Sequence, residues 1–290
     1  MALEKVYKGE NIYEVVELLG KYGEDAKIIA GGTDIIIDLR NERIAPKVLV
    51  DVSSIEELKS IEDKGEYIEI GAGVSFTQIV ESPLFVGNLY GLNKSCHLVG
   101  SPQIRNKGTL GGNIANGSPA ADSIPPLICL NASLIFKSIK GTREISIEDY
   151  YKDEDASVKV DEILVNIRFN KLDKRQALSF SKLGLRKALA ISRLSIATLL
   201  ELDEGEKIST IKVASGSLGK YPMRELELEQ FLMGKKLDHT TIDEGIVVLQ
   251  KAMEKRLAKR STFPYKRIAV DSMFREALKE AMELLNGVRQ

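Results

Sequence analysis

Apolar residues recur along the chain with two different periods, and these periods predict the order of strands and helices. In the first part of the chain, short apolar runs with a two-residue period predict strands, whereas apolar residues spaced three and four apart predict helices. The predicted strands are residues 4–7, 27–30, 47–52, 68–71, 133–138, 144–147 and 163–169. The predicted helices are residues 12–22, 76–80, 85–99 and 120–130. This mixture predicts two neighbouring α+β lobes, residues 1–53 and 54–172.

The second part of the chain has a different order of elements, which predicts a separate domain at residues 177–286. A charged stretch at residues 170–176 is the predicted linker. Three predicted strands follow at residues 178–183, 192–202 and 207–217, and three amphipathic helices follow them at residues 224–233, 240–256 and 268–285. Strands followed by helices are typical of an antiparallel sheet covered by helices.

One internal segment, residues 101–116, has no helical or strand period and is rich in Gly, Asn, Ser and Pro. The pattern predicts a long irregular loop. A long loop inside a compact domain is uncommon unless it has a function, so this segment is a candidate for ligand binding.

Composition narrows the classes of function. The chain has 290 residues, 43% of them hydrophobic, and a net charge of -1, which argues against a basic surface for nucleic acid. No apolar run approaches the roughly 18 residues of a membrane span, and the N-terminus does not resemble a signal peptide, so we expect a cytoplasmic protein.

Cysteine and histidine are scarce in this sequence. Cys96 and Cys129 are the only cysteines, and both lie in apolar segments that predict buried free thiols. His97 and His239 are the only histidines, and an iron–sulfur cluster or a structural zinc usually takes about four ligands. If the protein handles electrons, an organic cofactor must carry them.

A first Gly-Gly turn follows a predicted strand and precedes a helix-like segment. Glycines let backbone N–H groups approach a phosphate, and a helix N-terminus adds about half a positive charge. A turn of this kind is weak evidence by itself, because most strand–Gly-Gly–helix turns bind nothing. The residues are Ile28, Ile29, Ala30, Gly31, Gly32, Thr33, Asp34 and Ile35.

A second Gly-Gly turn occurs about eighty residues later, within the predicted loop. Two such turns could bind one pyrophosphate from both sides, since charge-assisted N–H bonds contribute about 1.5 to 3 kcal/mol each. The G-x-G-x-x-G and G-x-x-x-x-G-K-[ST] patterns are absent, which disfavours a Rossmann or ATP-hydrolysing site. The residues are Thr109, Leu110, Gly111, Gly112 and Asn113.

These two turns and their surroundings resemble the FAD-binding subunits of the molybdenum hydroxylases, which include xanthine, nicotinate and aerobic carbon monoxide dehydrogenases. The resemblance covers nearly the whole chain. It is carried by Ala30-Gly31-Gly32-Thr33-Asp34, by Val99-Gly100-Ser101-Pro102-Gln103-Ile104-Arg105-Asn106 running into Gly108-Thr109-Leu110-Gly111-Gly112-Asn113, and by Ser118-Pro119-Ala120-Ala121-Asp122.

The resemblance implies a p-cresol methylhydroxylase-like α+β fold, with FAD held between two lobes and a C-terminal antiparallel sheet with helices. It implies that both Gly-Gly turns contact the pyrophosphate and that Asp122 accepts hydrogen bonds from ribose. Val99 and Leu164 match positions that line the cofactor, and Lys182 matches a lysine near the isoalloxazine. Taken alone, Asp122 would be a solvent-facing acid at a helix start and Lys182 an exposed strand lysine.

The resemblance also implies partners and a relay of electrons. Relatives assemble as dimers of heterotrimers, with a molybdopterin-binding subunit that oxidises a substrate such as an N-heterocycle and an iron–sulfur subunit that passes electrons to FAD. The acceptor would be NAD or another carrier. The segment 186–191 departs from the family, because many members have an acidic residue where Ala190 stands. This difference affects whether NAD is the electron acceptor.

Two other functions are compatible with the same residues. One is a self-sufficient flavoenzyme of the same superfold, resembling the enolpyruvyl reductases of cell-wall synthesis, which would reduce its own substrate with NADPH. The other is a non-redox nucleotide-binding module whose Gly-Gly turns hold an anion without flavin. Yellow absorbance after purification separates the second from the flavoproteins.

Overall fold

The structure is a computed structural model that describes residues 3–153, 157–186 and 189–287. The chain folds into two compact units that alternate along the sequence. The first unit comprises Met1–Gln78, Ser101–Asn116 and Ala132–Lys171, and the second comprises Ile79–Gly100, Gly117–Asn131 and Leu172–Gln290. No helix among the described residues is long and apolar enough to cross a membrane.

The strands of the described residues form three sheets. They are β1 Lys5–Lys8, β2 Ala26–Ile29, β3 Val48–Asp51, β4 Ile61–Asp63, β5 Tyr67–Gly71, β6 Ser133–Ser138, β7 Gly141–Ser146, β8 Ile163–Asn170, β9 Gln176–Leu183, β10 Leu194–Leu202, β11 Ile208–Gly216 and β12 Met223–Arg224. The order within the sheets is β1-β3-β2, β4-β5-β8-β6-β7 and β12-β11-β10-β9.

The α-helices of the described residues range from six to 23 residues. They are α1 Ile12–Tyr22, α2 Ile35–Arg40, α3 Phe76–Glu81, α4 Tyr90–His97, α5 Pro102–Lys107, α6 Leu110–Asn116, α7 Ile124–Cys129, α8 Ile147–Lys152, α9 Leu226–Leu232, α10 His239–Leu257 and α11 Phe263–Leu285. The mixed α+β class and the order of the major elements are as the sequence predicts.

The first unit contains a small parallel sheet and a larger antiparallel one. In the parallel sheet, β3 lies between β1 and β2. Helix α1 begins where the Asn11 side chain accepts the Glu14 N–H, a cap that contributes about 1 kcal/mol. Its buried Val15, Val16 and Leu19 pack with Val50 of β3. This packing fixes β2, the strand that precedes the first Gly-Gly turn.

The predicted irregular loop at residues 101–116 is wrong, because this segment forms α5 and α6. The Ser101 hydroxyl accepts the Ile104 N–H, and Pro102 occupies the first helical turn, where a proline needs no hydrogen-bond acceptor. Neither helix exceeds seven residues. About two turns are too short to show an amphipathic period, and Gly111 and Gly112 lower helix propensity further.

The second unit is built on the antiparallel sheet β12-β11-β10-β9 that the sequence predicts. Successive residues of a strand point to opposite faces. On β9, the Ser181 hydroxyl donates to the Met273 carbonyl of α11, whereas the next residue, Lys182, points to Asp122 just before α7. Helix α7 packs against β10 and β11, and α4 packs against β9. Helices α4 and α7 therefore bring Val99 and Asp122 to the sheet.

Candidate functional site

The first Gly-Gly turn presents backbone N–H groups that the protein does not use. It connects β2 to α2, and Gly32 has a φ of +71°, a conformation that favours glycine. The N–H groups of Gly31, Gly32, Thr33 and Asp34 have no acceptor among the described residues. The Asp34 side chain does not cap α2 and instead lies 3.3 Å from the Thr33 hydroxyl, which donates to it. Four unused donors at a tight turn can bind phosphate oxygens.

The second Gly-Gly turn differs, because its N–H groups are already bonded. Leu110 donates to the Val74 carbonyl, Gly111 to the Ala72 carbonyl, Gly112 to the Thr109 hydroxyl and Asn113 to the Thr109 carbonyl. A Cβ on Gly111 would lie 2.6 Å from the Ala72 side chain. This turn is therefore held against the segment that follows β5.

The two turns come together within the first unit. A Cβ on Gly31 would lie 1.8 Å from the carbonyl oxygen of Lys107 and 3.0 Å from the Gly108 nitrogen. Only glycine fits at this approach. The prediction that two Gly-Gly turns lie close together is consistent with this contact, although only the first turn offers unused N–H donors.

Leu164 is the remaining predicted cofactor residue of the first unit. It lies on β8, is 7% exposed and pairs with Phe136 of β6 beside a shift in strand register. Its side chain is part of the apolar interior of the larger sheet. Its predicted contact with a flavin stays a prediction.

Val99, Asp122 and Lys182 lie close together in the second unit. The Lys182 ammonium group donates to the Asp122 Oδ2 at 2.5 Å and to the Leu98 carbonyl at 2.9 Å, directly beside Val99. The side chains of Lys182 and Asp122 are 8% and 5% exposed. Both solvent-facing interpretations are therefore wrong, because these two groups form a buried ion pair.

Burial dominates the electrostatics of Asp122. Loss of solvent raises the pKa of its carboxyl group from 3.8 to about 6, and the charge of Lys182 opposes this rise. The second carboxylate oxygen, Oδ1, is buried and accepts no hydrogen bond of 3.5 Å or less from the described residues, although the nearby Ser192 hydroxyl also lowers the pKa of the carboxyl group. A buried acceptor without a donor is costly, which makes this oxygen a ready acceptor for ligand hydroxyl groups.

Sequence reasoning missed the residues that surround this ion pair. Ser195 of β10 stands directly opposite Lys182 and its hydroxyl is buried without a partner among the described residues. The buried Ser192 hydroxyl lies close enough to Asp122 to lower the pKa of its carboxyl group. The sequence signal that could have identified these serines is the presence of small polar residues among the apolar ones of a buried strand. Lys107 was missed as a packing partner of Gly31, because its contribution is a backbone carbonyl that no side-chain pattern reveals.

The described residues contain no group of three or more His, Cys, Asp or Glu residues able to hold a metal ion. Cys96 and Cys129 are buried free thiols, as predicted. In the first unit the candidate residues are therefore the row of unused backbone N–H groups, which can bind phosphate oxygens. In the second unit they are the buried ion pair of Lys182 and Asp122, whose carboxylate can accept hydrogen bonds from hydroxyl groups.

Comparison with protein families gives two matches. Residues 2–170 match the family described as "FAD binding domain in molybdopterin dehydrogenase". Residues 179–281 match the family described as "CO dehydrogenase flavoprotein C-terminal domain". The two matches together span most of the chain.

Individual relatives agree with the family matches. The nicotinate dehydrogenase FAD-subunit of Eubacterium barkeri is 30% identical over 283 residues, which cover 96% of both chains. A putative xanthine dehydrogenase FAD-binding subunit of Escherichia coli K12 is 29% identical and covers 98% of both chains. A chain of the solved carbon monoxide dehydrogenase from Oligotropha carboxidovorans matches with a TM-score of 0.88 at 27% identity, covering 96% of both chains.

Proposed function

Because the chain belongs to the family of FAD-binding subunits of molybdopterin dehydrogenases, we propose that it relays electrons from an iron–sulfur partner subunit to an acceptor such as NAD. The chain is an oxidoreductase subunit with FAD as its cofactor. FAD supplies the redox chemistry when bound, since a flavin accepts electrons singly and releases them in pairs. The residues of this chain supply binding, orientation and charge.

The observation that carries the proposal is the row of unused N–H groups from Gly31 to Asp34. In the proposed function these donors bind the FAD pyrophosphate, and each charge-assisted bond contributes about 1.5 to 3 kcal/mol. Gly31 allows the turn to pack on Lys107, and this packing fixes the direction of the donors. Lys107 and Gly108, which directly precede Thr109 to Asn113, support the first turn through this contact.

Residues of the second unit have complementary roles in the proposal. Asp122 accepts hydrogen bonds from hydroxyl groups of FAD through Oδ1, because its other carboxylate oxygen is bonded to Lys182. Lys182 places a positive charge near the flavin, where a cation favours the anionic reduced form and raises the redox potential. Val99 and Leu164 provide apolar contacts to the ring system.

The substrate of the assembled enzyme is proposed to be an N-heterocycle, oxidised on a molybdopterin-binding partner subunit. Support comes from the similarity to the nicotinate and xanthine dehydrogenase subunits. A dimer of heterotrimers and a cytoplasmic location stay predictions. The proposed acceptor is NAD or another carrier, since Ala190 stands where many relatives have an acidic residue. Of the surrounding segment, Lys187 and Ala188 lie outside the described residues.

The test combines flavin content with dependence on partners. The purified full-length chain should contain about one FAD, identified by absorbance after release from the denatured protein. It should oxidise no N-heterocycle alone and should do so only after addition of the iron–sulfur and molybdopterin subunits. Turnover of a small substrate with NADPH by the chain alone would instead identify a self-sufficient reductase, and absence of FAD uptake would contradict the proposal.

A further inference from the structure

A group of basic side chains lies in the second unit, next to the segment that contains Ser192. Lys266 stands in the first turn of α11 and is 8% exposed. Its ammonium group donates to the backbone carbonyl of Ser217 at 2.5 Å. Neither of its other two N–H bonds has an acceptor among the described residues, and no described carboxylate lies within 4.0 Å of it. A buried ammonium group normally has a carboxylate partner.

Ser217 connects Lys266 to a second basic residue, Arg193. Ser217 has a φ of +62°, and its backbone N–H donates to the Pro119 carbonyl at 2.6 Å. Its hydroxyl donates to the carbonyl of Ser192 at 3.0 Å. The next residue, Arg193, is fixed by a backbone bond from its N–H to the Leu183 carbonyl. The turn after β11 thus joins the start of α11 to the start of β10.

Arg260 completes the cluster from the connection between α10 and α11. Burial lowers the pKa of Lys266, and the charges of Arg260 and Arg193 lower it further, with no acidic group opposing them. The side chains of both arginines are exposed and form no hydrogen bond or ion pair with the described residues. Residues 258–270 contain four basic residues and no acidic one. Like charges held together repel one another unless an anion binds between them.

We propose that Lys266, Arg193 and Arg260 form a second anion site of this chain, which binds a phosphate group of a small phosphorylated molecule. Arginine binds phosphate through parallel N–H bonds, and the positive end of the 23-residue helix α11 adds to the attraction. The site is formed by residues of the second unit, whereas the Gly31 turn belongs to the first unit.

The location of the cluster indicates which molecule carries the phosphate. Arg193 follows the connection between β9 and β10, and the resemblance links residues 186–191 of this connection to the choice of acceptor. A phosphorylated electron acceptor, such as a pyridine dinucleotide, would reach the flavin from this side. This assignment of the ligand rests on the proposed function, whereas the anion site itself rests on the side chains.

The test uses the full-length chain loaded with FAD, so that the Gly31 turn is already filled. Inorganic phosphate is titrated at constant ionic strength and followed by calorimetry, for the wild type and for Lys266→Met, Arg260→Gln and Arg267→Gln. Arg267 is the matched control, because it is exposed on the same helix turn and forms no side-chain bond with the described residues. Lys266→Met and Arg260→Gln should weaken phosphate binding about tenfold or more, and Arg267→Gln should leave it unchanged.

Equal phosphate binding by all four proteins would overturn the anion site, as would no binding by the wild type. Arg260 is exposed, so Arg260→Gln keeps the test valid even if Lys266→Met folds poorly. A second titration with a pyridine dinucleotide identifies the source of the phosphate. If the same variants weaken dinucleotide binding, the site serves the acceptor; if they affect only inorganic phosphate, the acceptor assignment is wrong and the anion site stands.

The flavin absorbance of each sample separates this inference from the proposed function. A chain that takes up no FAD contradicts the proposed function, and the phosphate titration is then carried out on the apoprotein. A chain that holds FAD but binds phosphate equally in every variant contradicts only the anion site.

Discussion

The carbonyl oxygen of Lys107 occupies the place that a side chain on Gly31 would need: a Cβ built on Gly31 lies 1.8 Å from it. This contact joins the turn after β2 to the turn before α6. Because the contact joins residues about eighty positions apart, the local sequence of either turn does not determine it. The close approach explains why two glycine-containing segments about eighty residues apart belong to one candidate site.

Gly31→Ala should therefore impair FAD binding. The added methyl group must displace the Lys107 backbone, an overpacking that costs about 1 to 3 kcal/mol and turns the donors of residues 31–34 away from the phosphate. We expect FAD affinity to fall at least about tenfold, measured by quenching of flavin fluorescence. The control is Gly65→Ala, because Gly65 has a φ of +87° but nothing within 4 Å of its Cβ position. Normal FAD binding by Gly31→Ala would contradict the role of this contact.

Asp122 should make the stability of the protein depend on pH in an unusual direction. Its pKa rises from 3.8 to about 6 on folding, so between these pH values the folded state binds more protons than the unfolded state. The free energy of unfolding therefore falls as pH rises through this window. Relative to Asp122→Asn, the wild type should lose about 3 kcal/mol between pH 3.5 and pH 7, measured by urea denaturation of the apoprotein.

Asp238 provides a control of opposite sign for this experiment. It accepts the Thr241 N–H at the start of α10, and this bond lowers the pKa of its carboxyl group. Relative to Asp238→Asn, the wild type should gain stability as pH rises from the lowered pKa of the folded state to the usual value of 3.8, and this gain is complete above that range. The stability difference between wild type and variant should change with pH in opposite directions for Asp122→Asn and Asp238→Asn. A change in the same direction would contradict the assignment for Asp122.

Arg256 and Lys255 are neighbours on α10, but we expect their substitutions to change the free energy of unfolding by very different amounts. Arg256 lies 2.9 and 3.0 Å from the two carboxylate oxygens of Glu225, whose side chain is 1% exposed. Arg256→Met would leave a buried carboxylate without its cation and should lower the free energy of unfolding by about 3 to 5 kcal/mol. Lys255 pairs with the exposed Glu227, so Lys255→Met should cost less than about 1 kcal/mol. Chemical denaturation measures the free energy of unfolding of both variants. Equal losses would show that the buried and the exposed ion pair contribute alike, which would contradict this prediction.

The two cysteines should be inert in the native protein. Burial raises the pKa of both the Cys96 and the Cys129 thiol to about 12, so almost no thiolate exists at neutral pH. Ellman's reagent at pH 8 should detect no thiol in the folded chain and two thiols per chain in denaturant. Rapid reaction of either thiol in the native protein would show that its segment opens.

Long elements with a clear period could be predicted from sequence, and short ones could not. Helices α10 and α11 have 19 and 23 residues, and each buries one face, α11 against β9 and β10 and α10 against α9 and α11, so their period is visible in the sequence. The predicted start of α11 at residue 268 was five residues late. Pro264 suggests a break, yet proline is well tolerated in the first turn of a helix.

The burial of Asp122 and Lys182 illustrates what local sequence cannot show. Each residue has polar or small neighbours, and each alone would be placed at the surface. Their pairing depends on the register of β9 and on the position of the turn before α7, which are 60 residues apart in the sequence. Only the resemblance to a family suggested that either residue belongs to a site.

The alternation of the chain between its two units has a consequence for biosynthesis. Every residue of α7 is buried, and this helix packs against β10 and β11, which follow it by more than sixty residues. At typical translation rates, on the order of ten seconds pass between the synthesis of Cys129 and that of β11. During this interval the nascent polypeptide carries an uncovered apolar helix. The second unit is therefore completed only after β11 has been synthesised, and until then chaperones that shield apolar segments can bind α7.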